Sequence, residues 1–178
     1  MEAQEIKRRF ETLYDAESDA VFRFCLFKTS DRDVALDLTQ EAFTRMWDKM
    51  IQGGWYRSER AFLFTIARNL IIDWYRTKKR TVSLDSMVEK TWMDDYKIGE
   101  EVFSSGDGQI EIEMSADARL MVEKIKILPS IYQQAVYLRF VDDLSPQEIA
   151  GIVGLSANVV SVRITRGLEQ LRNLYGKG

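Results

Sequence analysis

Apolar residues recur along this chain at three- and four-residue intervals, and no two-residue alternation is sustained anywhere. The pattern predicts an all-α protein. Three helices are readable in the first block. The first spans roughly Gln4 to Thr29, with Ile6, Phe10, Leu13, Tyr14, Val21, Phe24 and Cys25 as its apolar positions and a candidate break between Asp15 and Asp19. The second begins at Ser30, with Asp33 three residues on, and runs to about Met50. The third runs from about Ser58 to Lys79, after the loop Gln52-Gly53-Gly54-Trp55-Tyr56-Arg57.

Near the C-terminus the pattern becomes a helix-turn-helix. Ser145 fits an N-cap, Pro146 the first helical position, and Glu148 follows the cap by three residues, which together make a capping box. Ile149, Ala150 and Val153 form the apolar face of a short helix, and Gly154 permits a turn at positive φ. A second helix carries Val160, Ile164, Leu168 and Leu171 inward, with Asn158, Ser161, Arg163, Thr165, Arg166 and Arg172 on its other faces. Such a hairpin lays a basic helix in the DNA major groove, which is the favoured reading over an ordinary αα-hairpin in a bundle core.

Charge divides the chain further. The formal net charge of −3 conceals two mildly basic ends around an acidic middle, in which residues 81–118 carry ten acids and two bases. Residues 81–115 lack an apolar period and contain Ser104-Ser105-Gly106-Asp107-Gly108, so they read as an acidic linker. The expected organisation is two small helical domains, an N-terminal bundle over 1–80 and a helix-turn-helix domain over 116–178. Nothing in the sequence fixes their relative orientation.

Composition excludes several chemistries. With no histidine and one cysteine, the chain has no disulfide framework and none of the usual zinc sites. It also lacks the commonest general base. Cys25, between Phe24 and Leu26, reads as a buried structural thiol. No apolar run approaches the ~18 residues of a membrane span, and residues 1–10 lack a signal-peptide core. The expectation is a cytoplasmic protein without catalytic residues, metal or cofactor.

Two helices offer more than a core requires. The second buries Val34, Ala35, Leu38, Ala42 and Met46, yet has a further apolar line, Leu36, Phe43 and Trp47, bordered by Asp37, Gln40 and Glu41. It is either the central helix of the bundle or a docking surface. The third sets Leu63, Ile66, Ala67, Leu70 and Trp74 toward the core, and Thr65, Arg68, Asn69, Asp73, Tyr75 and Arg76 on the opposite side. Basic residues at its C-terminal end suit the helix dipole, but the dipole does not explain an exposed amide and aromatics. Amide and guanidinium groups read base edges, and aromatic rings stack on unpaired bases; Trp55 and Tyr56 lie in the adjoining loop.

Together these motifs resemble the bacterial sigma factors, specifically the small two-domain extracytoplasmic-function group, over nearly the whole chain. The sequence from Asp37 to Trp47 is similar to the family's polymerase-binding helix. Ile66-Ala67-Arg68-Asn69 with Asp73 and Arg76 resembles its −10 recognition helix, and Leu128-Pro129 through Leu171 its −35 domain. The resemblance implies that Asp37, Gln40, Glu41, Phe43 and Trp47 face the clamp of core RNA polymerase, with the flap as a second contact. It implies that Asn69 holds a flipped base of the non-template strand, supported by Arg68, Tyr75, Arg76, Trp55 and Tyr56. It implies that Asn158, Ser161, Val162, Arg163, Thr165 and Arg166 read the −35 duplex. An anti-sigma factor, membrane-anchored in many relatives, is the implied regulator; the chain itself does not insert into a membrane. The linker, implied to thread polymerase channels, reaches at most ~115 Å. That exceeds the ~55 Å between promoter elements about sixteen base pairs apart.

The recognition helix departs from the family's frequent Gly-Thr-Val-Lys-Ser-Arg, reading Asn158-Val159-Val160-Ser161-Val162-Arg163, and Phe62 stands where tryptophan is frequent. The −35 preference therefore does not transfer from relatives. Val159 and Val162 either meet thymine methyls or, for Val162, pack inward, and Arg163 either contacts phosphate or braces the domain. A dimeric operator-binding regulator would explain 116–178 but not the Asn69 helix. A pure interaction protein remains an alternative because of the altered recognition helix. A carboxylate-metal nuclease finds no phosphate loop or convergent carboxylate motif.

Overall fold

The computed structural model describes residues 2–54, 56–82 and 115–176, and among these are seven α-helices and no strand. α1 (Glu2–Thr29) is uninterrupted. The candidate break near Asp15–Asp19 does not occur; Glu17 continues the face of Leu13 and Ala20 and pairs with Arg60 at 2.9 Å. α2 (Arg32–Ile51) starts two residues later than expected. Ser30 takes φ 52°, and Asp31 is the cap, its carboxylate accepting from the Val34 N–H at 3.1 Å. α3 (Glu59–Val82) begins where Ser58 Oγ accepts from the Ala61 N–H at 3.1 Å.

These three helices pack around Val21, Phe24, Met46, Leu63, Phe64 and Ala67, all fully or almost fully buried. Cys25 lies in this core, where burial pushes its thiol up to about 12 despite a hydrogen bond with Thr39. It is structural, as its apolar neighbours indicated.

The second group comprises α4 (Ala116–Lys126), α5 (Ser130–Phe140), α6 (Pro146–Val153) and α7 (Ala157–Tyr175). Ser145 and Glu148 form the expected capping box at α6, and Gly154 ends that helix at φ 71°. The inward line of α7 is Val160, Ile164 and Gly167; Leu168, expected inward, is 39% exposed. A Cβ at Gly167 would come within 2.6 Å of Val136 Cγ2, so α5 and α7 approach too closely for any side chain there.

The two groups share one core. Tyr137 of α5 is fully buried and stacks on Phe27 of α1, with ring centroids 4.2 Å apart. α6 lies along α3. α3 is therefore buried over more than its expected stripe, with Phe64, Ile71 and Ile72 also inward.

Candidate polymerase and nucleic-acid surfaces

On α2, Asp37, Gln40 and Glu41 are exposed along one side, with Leu36 41% exposed beside them. The aromatic line behind them is only partly presented. Phe43 is 3% exposed, locked edge-on between Tyr14 (4.8 Å) and Phe10 (6.1 Å) of α1. Trp47 is half-buried, 5.0 Å from Phe10. α2 packs on α1 and α3, so Phe43 belongs to the core, while the acidic and amide side chains beside it remain exposed.

On α3, Asn69 is exposed and Arg68 half-buried, and both line a cleft of about 510 Å³ with Arg45, Ile72, Asp73, Arg76 and Val153. Burial lowers the pKa of Arg68, and its Nε finds no hydrogen-bond acceptor among the described residues. Arg76 is held 3.4 Å from Asp73. Tyr75 does not belong to this group. Expected on the exposed side, it is 8% exposed and donates its hydroxyl hydrogen to the Lys28 carbonyl. The reason is packing: α1 covers that side of α3, and burial raises the phenol's pKa. Trp55 lies outside the described residues. Tyr56 stacks on Phe62 at 3.9 Å.

Arg45 was not among the residues singled out from sequence. The signal available was its spacing four residues from Glu41, with which it pairs at 2.7 Å. Fold proximity, not helix periodicity, brings it beside Asn69.

On α7, Asn158, Ser161, Thr165 and Arg166 are exposed and Arg163 is half-buried, its pKa lowered by burial. Val159 and Val162 are 42% and 48% exposed, so neither is a core residue. A helix surface of amide, hydroxyl, methyl and guanidinium groups matches the chemistry of base edges in the major groove.

The contact between the groups falls on the same elements. Tyr56, Ala61, Phe62 and Thr65 face Ser145, Gln147, Glu148 and Gly151 across a cleft of about 730 Å³. Ser58 Oγ donates to Glu148 Oε1 at 2.8 Å. Burial alone would raise the Glu148 pKa, but the Ser145 N–H and the hydroxyls of Ser58 and Ser145 hold it below its ordinary value. Arg60 pairs with Glu17 and donates to the Asp142 carbonyl. Lys28 is 2% exposed; burial, then the charges of Arg68 and Lys126, push its pKa well down.

Comparison with known proteins agrees with the two helical groups. The Sigma-70 region 2 family matches residues 13–81, and the Sigma-70, region 4 family matches residues 118–171. The chain belongs to the sigma factors that bring RNA polymerase to promoters. More narrowly, it is an extracytoplasmic-function (ECF) RNA polymerase sigma factor. It is 30% identical to SigW of Bacillus subtilis over 167 residues, covering 92% of this chain and 87% of that protein. It is 28% identical to SigM of the same organism over 170 residues, covering 94% and 96%. Its fold is similar to that of RpoE from Bartonella quintana, solved with the anti-sigma factor NepR, with TM-score 0.68, 21% identity, and 96% and 98% of the two chains covered.

Proposed function

We propose how this sigma factor divides its labour. Residues 1–80 bind core polymerase and capture the −10 strand, residues 116–178 read the −35 duplex, and residues 81–115 connect them. Asp37, Gln40 and Glu41, with the accessible part of Trp47, meet the polymerase clamp; Phe43 supports that surface from beneath. Asn69 takes the extruded base, flanked by Arg68 and Arg76. Capture favours strand opening because unstacking one base costs only a few kcal/mol and a fitted pocket offsets it. Asn158, Ser161, Val162, Thr165 and Arg166 read base edges, and Arg163 holds phosphate. The chain acts by binding and positioning, leaving bond formation to the polymerase, and works in the cytoplasm. Among the described residues no single helix is long and apolar enough to cross a membrane.

The observation that carries this reading is the pairing of an exposed Asn69 in an arginine-rich cleft with an exposed, mixed polar face on α7. In the arrangement described here α6 rests on α3 and Val153 forms a wall of the Asn69 cleft. With α6 packed there, Val153 stands in the cleft that the captured base would enter. Binding to polymerase therefore includes separation of the two helical groups. An anti-sigma factor would act by denying these surfaces or by preventing that separation.

The test is transcription by reconstituted holoenzyme on a randomised promoter library. Wild type should select two conserved blocks. Asn69→Ala should relax selection only in the downstream block, and Asn158→Ala with Arg166→Ala only in the upstream one. Asp37→Ala with Gln40→Ala should weaken core binding in fluorescence anisotropy without changing which sequences are selected. Selection unaffected by any α3 or α7 variant would overturn the assignment.

A further inference from the structure

The cleft around Asn69 has a wall that comes from neither promoter-reading helix. Arg68, Asn69, Asp73 and Arg76 enter it from α3, whereas Arg45 enters from α2. The cleft thus has three guanidinium groups and one carboxylate, and that carboxylate, Asp73, is engaged by Arg76. The positive surplus stands on two sides of a neutral amide.

Arg45 is placed for exchange. Among the described residues its only ion pair is with Glu41, one turn earlier on the same helix, and the two side chains are 51% and 48% exposed. Solvent screens such a pair, so it is a weak restraint. It nevertheless holds the guanidinium on the side of α2 that borders the cleft. A phosphate offers the same two-oxygen geometry as Glu41, and the planar fork of arginine accepts it in place of the carboxylate. A nucleotide whose base reaches Asn69 carries phosphate on both flanks.

We propose that Arg45 is a backbone-phosphate contact for the captured single strand, closing the Asn69 cleft from the α2 side. The assignment rests on the reading of α3 as the strand-capturing helix. It adds an affinity element without sequence preference beside one that discriminates bases.

The experiment uses holoenzyme at saturating sigma factor. The probe is a fluorescein-labelled fork-junction DNA pool, duplex upstream, with a random single-stranded non-template overhang. Arg45→Ala should weaken binding about tenfold across the whole pool. It should also flatten the dependence of log affinity on log salt by about 0.7, the change for one lost phosphate contact to a single strand. Arg45→Lys, which retains the charge, should restore most of that slope. Because sigma factor is saturating, any change in core-polymerase affinity that reaches the clamp surface through Glu41 does not enter the slope. A wild-type salt slope in Arg45→Ala would overturn the proposal. If Asn69→Ala selects the same bases as wild type while Arg45→Ala flattens the slope, base capture by Asn69 falls and the phosphate contact stands. Failure of wild-type holoenzyme to bind the pool would overturn both.

Discussion

Ser58 donates its hydroxyl hydrogen to Glu148 across 90 positions of sequence, at 2.8 Å. Each residue also takes part in capping its helix. Ser58 Oγ accepts from the Ala61 N–H, and Glu148 Oε2 accepts from the Ser145 N–H. The starts of α3 and of α6 are therefore joined through their capping groups. A double-mutant cycle with Ser58→Ala and Glu148→Gln, followed by denaturant unfolding, should give a coupling of about 1 kcal/mol. Additive effects would show that the caps act separately.

Asp142 should make the packing of the two groups pH-dependent. It is 3% exposed, and neither carboxylate oxygen has a hydrogen-bond partner among the described residues. Burial raises its pKa from 3.8 to about 7, against the lowering effects of Arg23 and Arg60; Glu17 adds to the rise. A raised carboxyl pKa means the packed form binds the proton more tightly. Packing is favoured at low pH, weakens as pH rises from about 4 to about 7, and is constant above that. Small-angle scattering should find wild type more expanded at pH 8 than at pH 5. Asp142→Asn should show a smaller difference, and an unchanged one would remove Asp142 from the account.

Tyr137 separates the contribution of its ring from that of its hydroxyl. The ring stacks on Phe27, while the hydroxyl is buried without a hydrogen-bond partner among the described residues. Tyr137→Phe should be neutral or raise Tm, because it removes an unsatisfied polar group. Tyr137→Ala should cost about 3–5 kcal/mol. Calorimetry on both variants reads the difference, and a large loss in Tyr137→Phe would reveal a partner for the hydroxyl.

Gly167→Ala should destabilise the C-terminal group by roughly 1–3 kcal/mol, since its methyl group would meet Val136 Cγ2 and the helices must move apart. Helix propensity alone favours alanine by about 1 kcal/mol. The sign of the Tm change therefore decides between overpacking and propensity.

Phe43→Ala should lower stability by about 3 kcal/mol, because the ring is enclosed by Phe10 and Tyr14. Its effect on polymerase binding should follow the folded fraction. Asp37→Ala should reduce binding with Tm unchanged. Equal Tm for Phe43→Ala and wild type would place the ring outside the core.

Much of this protein was readable from local pattern. Helix period, the Ser145–Glu148 capping box and the glycine turn at Gly154 act over a few residues, and each appears where the sequence puts it. Asn69 and the exposed face of α7 follow from the same periodicity. Where reading by period went astray, a neighbouring helix was responsible. Tyr75, read as exposed, is covered by α1, whose Lys28 carbonyl takes its hydroxyl hydrogen; for Phe43, open between core and partner by period alone, two rings from α1 chose the core.

What the sequence by itself determined was the set of amphipathic helices, their caps and the side chains each presents, because those depend on interactions between residues a few positions apart. The tertiary structure alone decided which presented faces remain open. It set Tyr137 against Phe27, Ser58 against Glu148, and Arg45 beside Asn69. These pairings join different helices, and helix periodicity carries no information about which face another helix will cover.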